Sequence, residues 1–159
     1  KKKRRRIRSR KCMFNWILNF LSKPHEVFDG MPPCPYAKRA LLEGKVLVKH
    51  ISSQELVLSI QSYKQRFPNN KDVVLFCVDP QSITPDELSN LCTSTDEFVL
   101  LDDHPDSIEE VKGVVLNQGN YAIVFMQRRS QLTAARAELE KTGYYKNFSS
   151  SYKEVIQNR

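Results

Sequence analysis

Glycine is scarce in this chain, with five in 159 residues. No group of them builds a G-x-G-x-x-G or G-x-x-x-x-G-K-[ST] phosphate loop, and no G-x-S-x-G element is present. The usual glycine-dependent nucleotide and acyl-transfer signatures are therefore missing. The four cysteines, Cys12, Cys34, Cys77 and Cys92, include no C-x-x-C pair, so dithiol and zinc-finger spacings are missing too. A domain of this length buries enough core to need no disulfide framework. Apolar runs are short. The longest, Met13 to Leu21, falls far below the roughly 18 residues that span a bilayer. No membrane partner is expected, and with no secretory apolar region the expected setting is reducing and cytoplasmic.

Acidic residues are missing from one stretch and basic residues from another. Residues 1–12 carry nine Lys or Arg and no Asp or Glu. Asp72 to Val111 holds eleven acids and no Lys or Arg, and from Lys112 onward the balance turns basic again. The formal charge of +7 thus describes a basic arm on a mildly acidic body. A run of like charges repels itself and buries little, so residues 1–12 are expected to be disordered. Such an arm suits nucleic acid or another anionic surface; equally, it can lie outside the natural folded unit. It contains no aromatic residue for base stacking.

Periodicity organises the rest. Phe14, Ile17, Leu18 and Leu21 share a helical face, predicting a helix over 13–22 that ends before Pro24. Residues 24–35 read as an ordered loop, and a short helix follows Pro35 and stops at Gly44. Lys45 to Ile51 alternates as a strand, with Val46 and Val48 on one side and Leu47 and Ile51 on the other. Ser52 and Glu55 form a capping box ahead of the stripe Leu56, Ile60, Tyr63, Phe67. "DVVLFCVD" is a doubly covered strand with Cys77 in the core. Thr84, Pro85 and Glu87 start a further helix. A third strand at "EFVLLD", a helix over 107–118, a fourth strand at "YAIVFMQ" and a helix over 130–143 complete the pattern. The expected fold is one layered α/β domain over 13–148, with about four mostly parallel strands flanked by helices. Residues 149–159 are a C-terminal tail that packs loosely or forms a last short helix.

The first candidate site is Cys34, flanked by Pro33 and Pro35. A helix opening at Pro35 places the sulfur at its positive end, with Lys38 and Arg39 in the first turn. That arrangement lowers a thiol pKa or holds an anion. Packing of a loop cysteine is the plain alternative.

Two resemblances attach to these residues. "CPYA" resembles the C-P-Y-C element of glutaredoxins and thioredoxin-like proteins, with Ala37 in place of the second cysteine. The likeness implies a nucleophilic thiol at Cys34 and a glutathione contact at Tyr36. More broadly, Trp16, "CPYAK" (Cys34 to Lys38), Gly44, the strand and "HPD" (His104 to Asp106) are similar to an uncharacterised bacterial family of unknown function. That likeness covers residues 13–106 and implies a shared fold and site without a reaction.

The second candidate is "LLDDHPD", at the end of a strand where α/β proteins bind ligands. His104 and Asp106 have the H-x-D spacing of an iron triad, with Asp102 or Asp103 in reach; an acidic turn capped by Asp106 explains the same residues. Cys34, His104 and Asp106 would supply nucleophile, base and orienter if brought together. Arg128, at a strand-to-helix junction, is a further anion-binding candidate. No metal site or particular cofactor is indicated. The functional expectation is a thiol or ligand site on Cys34, Pro35, Tyr36, Lys38, Arg39 and Arg128, for a small anionic or thiol-containing molecule. The alternative is a non-enzymatic module whose residues 1–12 contact nucleic acid or an acidic protein surface.

Overall fold

The computed structural model describes residues 13–117 and 119–158. The expected disordered basic arm, residues 1–12, lies outside them.

The first helix runs from residue 13 and widens into a π-helix over Ile17–Leu21. The Ser22 hydroxyl and N–H both return to the Ile17 carbonyl, at 2.8 and 3.0 Å, and end it. After the proline-rich loop comes α1 (Ala37–Leu42). Gly44 stops it with φ +66° and an N–H bond to Leu41, a left-handed terminus that glycine adopts without strain. Strand β1 (Val46–His50) follows, then α2 (Ser53–Gln65), where the Glu55 carboxylate accepts the Ser52 N–H at 3.0 Å. Strand β2 (Val73–Val78) leads to α3 (Pro85–Leu91), whose Thr84 hydroxyl accepts the Glu87 N–H at 3.2 Å. Next are β3 (Phe98–Asp103), the two-residue strands β4 (Glu110–Val111) and β5 (Val114–Val115), and β6 (Ala122–Arg128). Helices α4 (Arg129–Glu140) and α5 (Ser150–Gln157) close the chain.

The four-stranded sheet has the order β1-β2-β6-β3. Only β1 and β2 pair in parallel; β6 is antiparallel to both β2 and β3. The expectation of a mostly parallel sheet is corrected here. Strands β1, β2 and β3 do share a direction, but β6 inserts between β2 and β3 and runs the other way. The cause lies in residues 107–118, expected as a helix. A helical crossover would have returned the chain in the same sense. Instead Val111-Lys112-Gly113-Val114 makes a two-residue hairpin, with Lys112 at φ +43° and Gly113 at φ +83°. Two successive positive φ values define a tight hairpin turn. The apolar residues Ile108, Val111 and Val115 mimic a helical stripe, and only Val111 of the three is buried.

Helices cover both faces of the sheet. On one, Leu56 and Ile60 of α2 and Leu88 of α3 pack against Val74, Phe76, Val78, Leu100, Val124 and Met126. On the other, Met13 and Ile17 of the first helix, with Ala37 and Leu41 of α1, cover Val48, Leu75, Cys77 and Ile123. Strand β2 therefore has no polar face, as its unbroken apolar run requires. A third cluster joins distant segments: Phe28, Val111 and Tyr144 are buried together, with Phe148 and Tyr152 against them. Phe28 stacks on Tyr144 at 5.2 Å between ring centres. Helix α5, within the segment assigned to the tail, brings Tyr152 into this cluster. Among the described residues no helix is long and apolar enough to cross a membrane.

Candidate functional site

Cys34 sits where two pieces of chain are tied together. Its N–H donates to the Leu21 carbonyl at 3.0 Å, and Ala37 N–H donates to the Cys34 carbonyl at 3.2 Å. The neighbouring Pro33 carbonyl accepts the hydroxyl of Tyr144. Helix α1 starts later than expected: its N-cap is Tyr36, not Cys34 or Pro35. The backbone N–H groups of Tyr36 and Ala37 still reach the sulfur and favour its anion. Burial opposes them and prevails, so the thiol pKa is raised above its ordinary value. The setting of the sulfur works against the lowered thiol expected at this position. Two amide dipoles do not replace the water that a thiolate would lose.

The two expected cationic helpers are exposed. Lys38 and Arg39 lie on the exposed side of α1 while Ala37 and Leu41 face the sheet. Arg39 pairs with Glu43 at 2.8 Å, an exposed contact one helical turn away. The Tyr36 ring is exposed, and its hydroxyl donates to the Ala135 carbonyl at 3.2 Å. Pro35 holds the bend between loop and helix.

His104 is 1% exposed. Its Nε2 lies 2.9 Å from the Ile83 carbonyl, and its Nδ1 accepts the Asp106 N–H at 3.1 Å. With Nδ1 accepting from Asp106, Nε2 is the nitrogen placed to donate to the Ile83 carbonyl. The Asp106 carboxylate, 80% exposed, is 3.9 Å away. Asp106 thus orients the ring through its backbone. Both ring nitrogens are engaged, and Ile83 belongs to the cluster of α2 and α3, whereas α1, just beyond Cys34, covers the opposite face. No hydrogen bond or ion pair joins Cys34 to His104 among the described residues; the ring nitrogens of His104 meet Ile83 and Asp106 instead. Nor do three His, Cys, Asp or Glu side chains converge to hold a metal ion among the described residues.

Arg128 is committed as well. Its guanidinium donates to the Lys71 carbonyl at 3.1 Å and lies 4.5 Å above the centre of the Phe67 ring. It packs its plane on the aromatic edge of the core at Phe67.

Asn117 carries a role that spacing did not reveal. Its side-chain N–H₂ donates to Asp103, to the His104 carbonyl at 3.2 Å and to the Ser107 carbonyl at 2.8 Å. Its oxygen accepts the Glu109 N–H at 2.7 Å. One amide therefore folds the whole turn from β3 to β4, because it alone offers donors and an acceptor at one point.

A groove of about 440 Å³ lies between the β4–β5 turn and the start of α5, lined by Glu110, Val111, Lys112, Lys146, Asn147, Phe148, Ser149 and Tyr152. Lys112 donates to the Asn147 side chain at 2.9 Å, and Asn147 donates onward to the Val27 carbonyl at 2.9 Å. The Ser149 hydroxyl caps α5 through the Tyr152 N–H at 3.2 Å. Lys146 is exposed beside them with no bonded carboxylate. Val111 and Phe148 supply an apolar wall. The groove assembles residues some 35 positions apart and depends on the hairpin, so a helical reading of 107–118 hides it. The available signals were Lys112-Gly113 as a turn and Ser149 as a helix start.

No family model, curated protein or solved structure matches the chain. The likenesses to glutaredoxins and to the C-P-aromatic-A-K family stand on their motifs alone.

Proposed function

We propose that this chain is a non-catalytic binding domain for a small anionic molecule, held in the groove between the β4–β5 turn and α5. The observation that carries the reading is Lys146, an unpaired ammonium at the mouth of a groove that also presents Lys112 and the N-terminal end of α5. A helix start and a cation favour negative charge in the same place. Val111, Phe148 and Tyr152 suit a flat apolar body attached to that charge. Glu110, which also lines the groove, selects against a ligand with a second negative group beside it. An aromatic carboxylate or phosphate monoester fits these requirements.

The anionic-ligand half of the reading from the sequence survives in this proposal, at a different place from Cys34. A thiol reaction at Cys34 keeps the support of the two N–H groups facing its sulfur and has burial against it. Titration calorimetry with phenyl phosphate tests the proposal. Binding that weakens about tenfold in Lys146→Ala, the order of one charge-assisted contact, and persists in Cys34→Ser supports it. Absence of binding, or equal binding by Lys146→Ala, overturns it. Binding lost in Cys34→Ser returns the site to the cysteine.

A further inference from the structure

One wall of the groove is three successive residues, Glu110, Val111 and Lys112. Side chains of a strand alternate between its faces, so a groove on one face meets every second residue. Three in a row mark the edge of the strand. Neither Val114 nor Val115 lines the groove, so this is the edge that β4 turns away from β5. The register shows what that edge offers. The Leu116 N–H donates to the Glu109 carbonyl at 2.8 Å, and Glu110 lies opposite Val115. Antiparallel strands alternate bonded and non-bonded pairs. Glu110 is therefore in a non-bonded pair, and its N–H and C=O point away from β5, toward the groove. Among the described residues neither meets another group of the chain. The outer edge of β3 is treated differently. There the Phe98 N–H donates to Thr95 Oγ1 at 3.1 Å and the Leu100 N–H to Ser94 Oγ at 3.0 Å. Side-chain oxygens close that edge to other strands, whereas β4 has no such cover.

We infer that the ligand of the groove is a phosphotyrosine side chain on an extended peptide, and that this peptide pairs with β4. The inference rests on the anionic-ligand reading of the same groove. One peptide residue, antiparallel to β4, exchanges both backbone bonds with Glu110. The residue before it in the peptide lies opposite Val111. Its side chain follows Val111 to the face where Phe148 and Tyr152 pack. A phosphorylated ring there meets Lys112 and Lys146, the two ammonium groups of the groove. The residue opposite Glu110 points to the other face, beside the Glu110 carboxylate and Val115, which is 44% exposed. A lysine suits this position, with its stem on the valine and its charge on the carboxylate. The recognised sequence is thus phosphotyrosine followed by lysine. A free aromatic phosphate uses the cations alone and leaves the edge unpaired.

Titration calorimetry of the 159-residue chain tests this with three probes. They are the peptide acetyl-Thr-Val-pTyr-Lys-Val-Thr-amide, its unphosphorylated form, and phenyl phosphate. The phosphopeptide should bind about tenfold tighter than either of the others. N-methylation of its lysine removes the N–H that meets the Glu110 carbonyl and should weaken binding about fivefold. Glu110→Lys should reverse the flanking preference, so that phosphotyrosine followed by glutamate binds better than phosphotyrosine followed by lysine. Glu110 is exposed, so the variant keeps the fold. A phosphopeptide that binds no tighter than phenyl phosphate overturns the inference and leaves the small-anion reading of the groove in place. Equal binding of the two peptides, or a flanking preference unmoved in Glu110→Lys, overturns it as well. Binding by none of the three probes overturns both readings.

Discussion

The hydroxyl of Tyr144 donates to the carbonyl of Pro33, joining residues 111 positions apart in sequence. This contact anchors the loop before α1 to the aromatic cluster that the C-terminal segment completes. Tyr144 is buried, and its ring also stacks on Phe28. Burial raises the pKa of its phenol, which keeps the hydroxyl a donor across the working pH range. Tyr144→Phe keeps the ring and removes the bond, leaving the Pro33 carbonyl without its partner. A loss of about 1–3 kcal/mol is expected from chemical denaturation. An unchanged midpoint would show that water replaces the hydroxyl.

Thiol labelling follows from the setting of Cys34. Burial outweighs the two N–H groups that face the sulfur, so the thiol pKa stands above its usual value. Labelling at neutral pH should be slower than that of a free cysteine, rising only well above about pH 8.5. Cys34→Ser with Cys92 present identifies which rate belongs to which residue. Fast labelling of Cys34 near pH 7 would restore the reactive-thiol reading.

Alkaline conditions should unfold the protein progressively. Cys34, Cys77 and Tyr144 all have pKa values raised by burial, Cys77 to about 12. In the unfolded chain these groups ionise from about pH 8.5 for the thiols and about pH 10 for the phenol. Above those values the unfolded state has lost protons that the native state retains. Stability is therefore full below about pH 8.5 and falls as pH rises, by up to about 1.4 kcal/mol per pH unit for each group. Denaturant midpoints measured from pH 7 to pH 11 check the slope. A flat profile would place the thiols in water.

His104 and Asp106 should separate cleanly. His104→Ala leaves the Ile83 carbonyl and the Asp106 N–H without partners and opens a cavity, so a loss of several kcal/mol is expected. Asp106→Ala removes a carboxylate that is 80% exposed and keeps the backbone N–H that holds the ring. Its effect should stay within about 0.5 kcal/mol. A large effect of Asp106→Ala would assign the carboxylate a role beyond the turn.

Gly113→Val tests the hairpin that decides the topology. The φ of +83° suits glycine, and valine there should cost about 1–2 kcal/mol or more. The same change should weaken ligand binding at the groove, since the turn carries Lys112. A helix over 107–118 would instead tolerate or welcome valine.

Local chemistry wrote much of this protein into its sequence. The stripe of Leu56, Ile60, Tyr63 and Phe67, the Thr84 and Ser52 helix starts, the left-handed Gly44 and the doubly buried β2 all depend on neighbours a few residues away. Each could be read from spacing. The layered α/β class follows from them. Tertiary contacts decided the rest. Antiparallel β6 between β2 and β3, the Lys112-Gly113 turn and the groove against α5 arise from segments distant in sequence, and a three-residue apolar spacing in 107–118 fits helix and hairpin alike. The fate of Cys34 was decided in the same way. Backbone N–H groups of Tyr36 and Ala37 reach its sulfur, but desolvation sets the sign of the thiol's shift, and desolvation depends on packing that no local motif records.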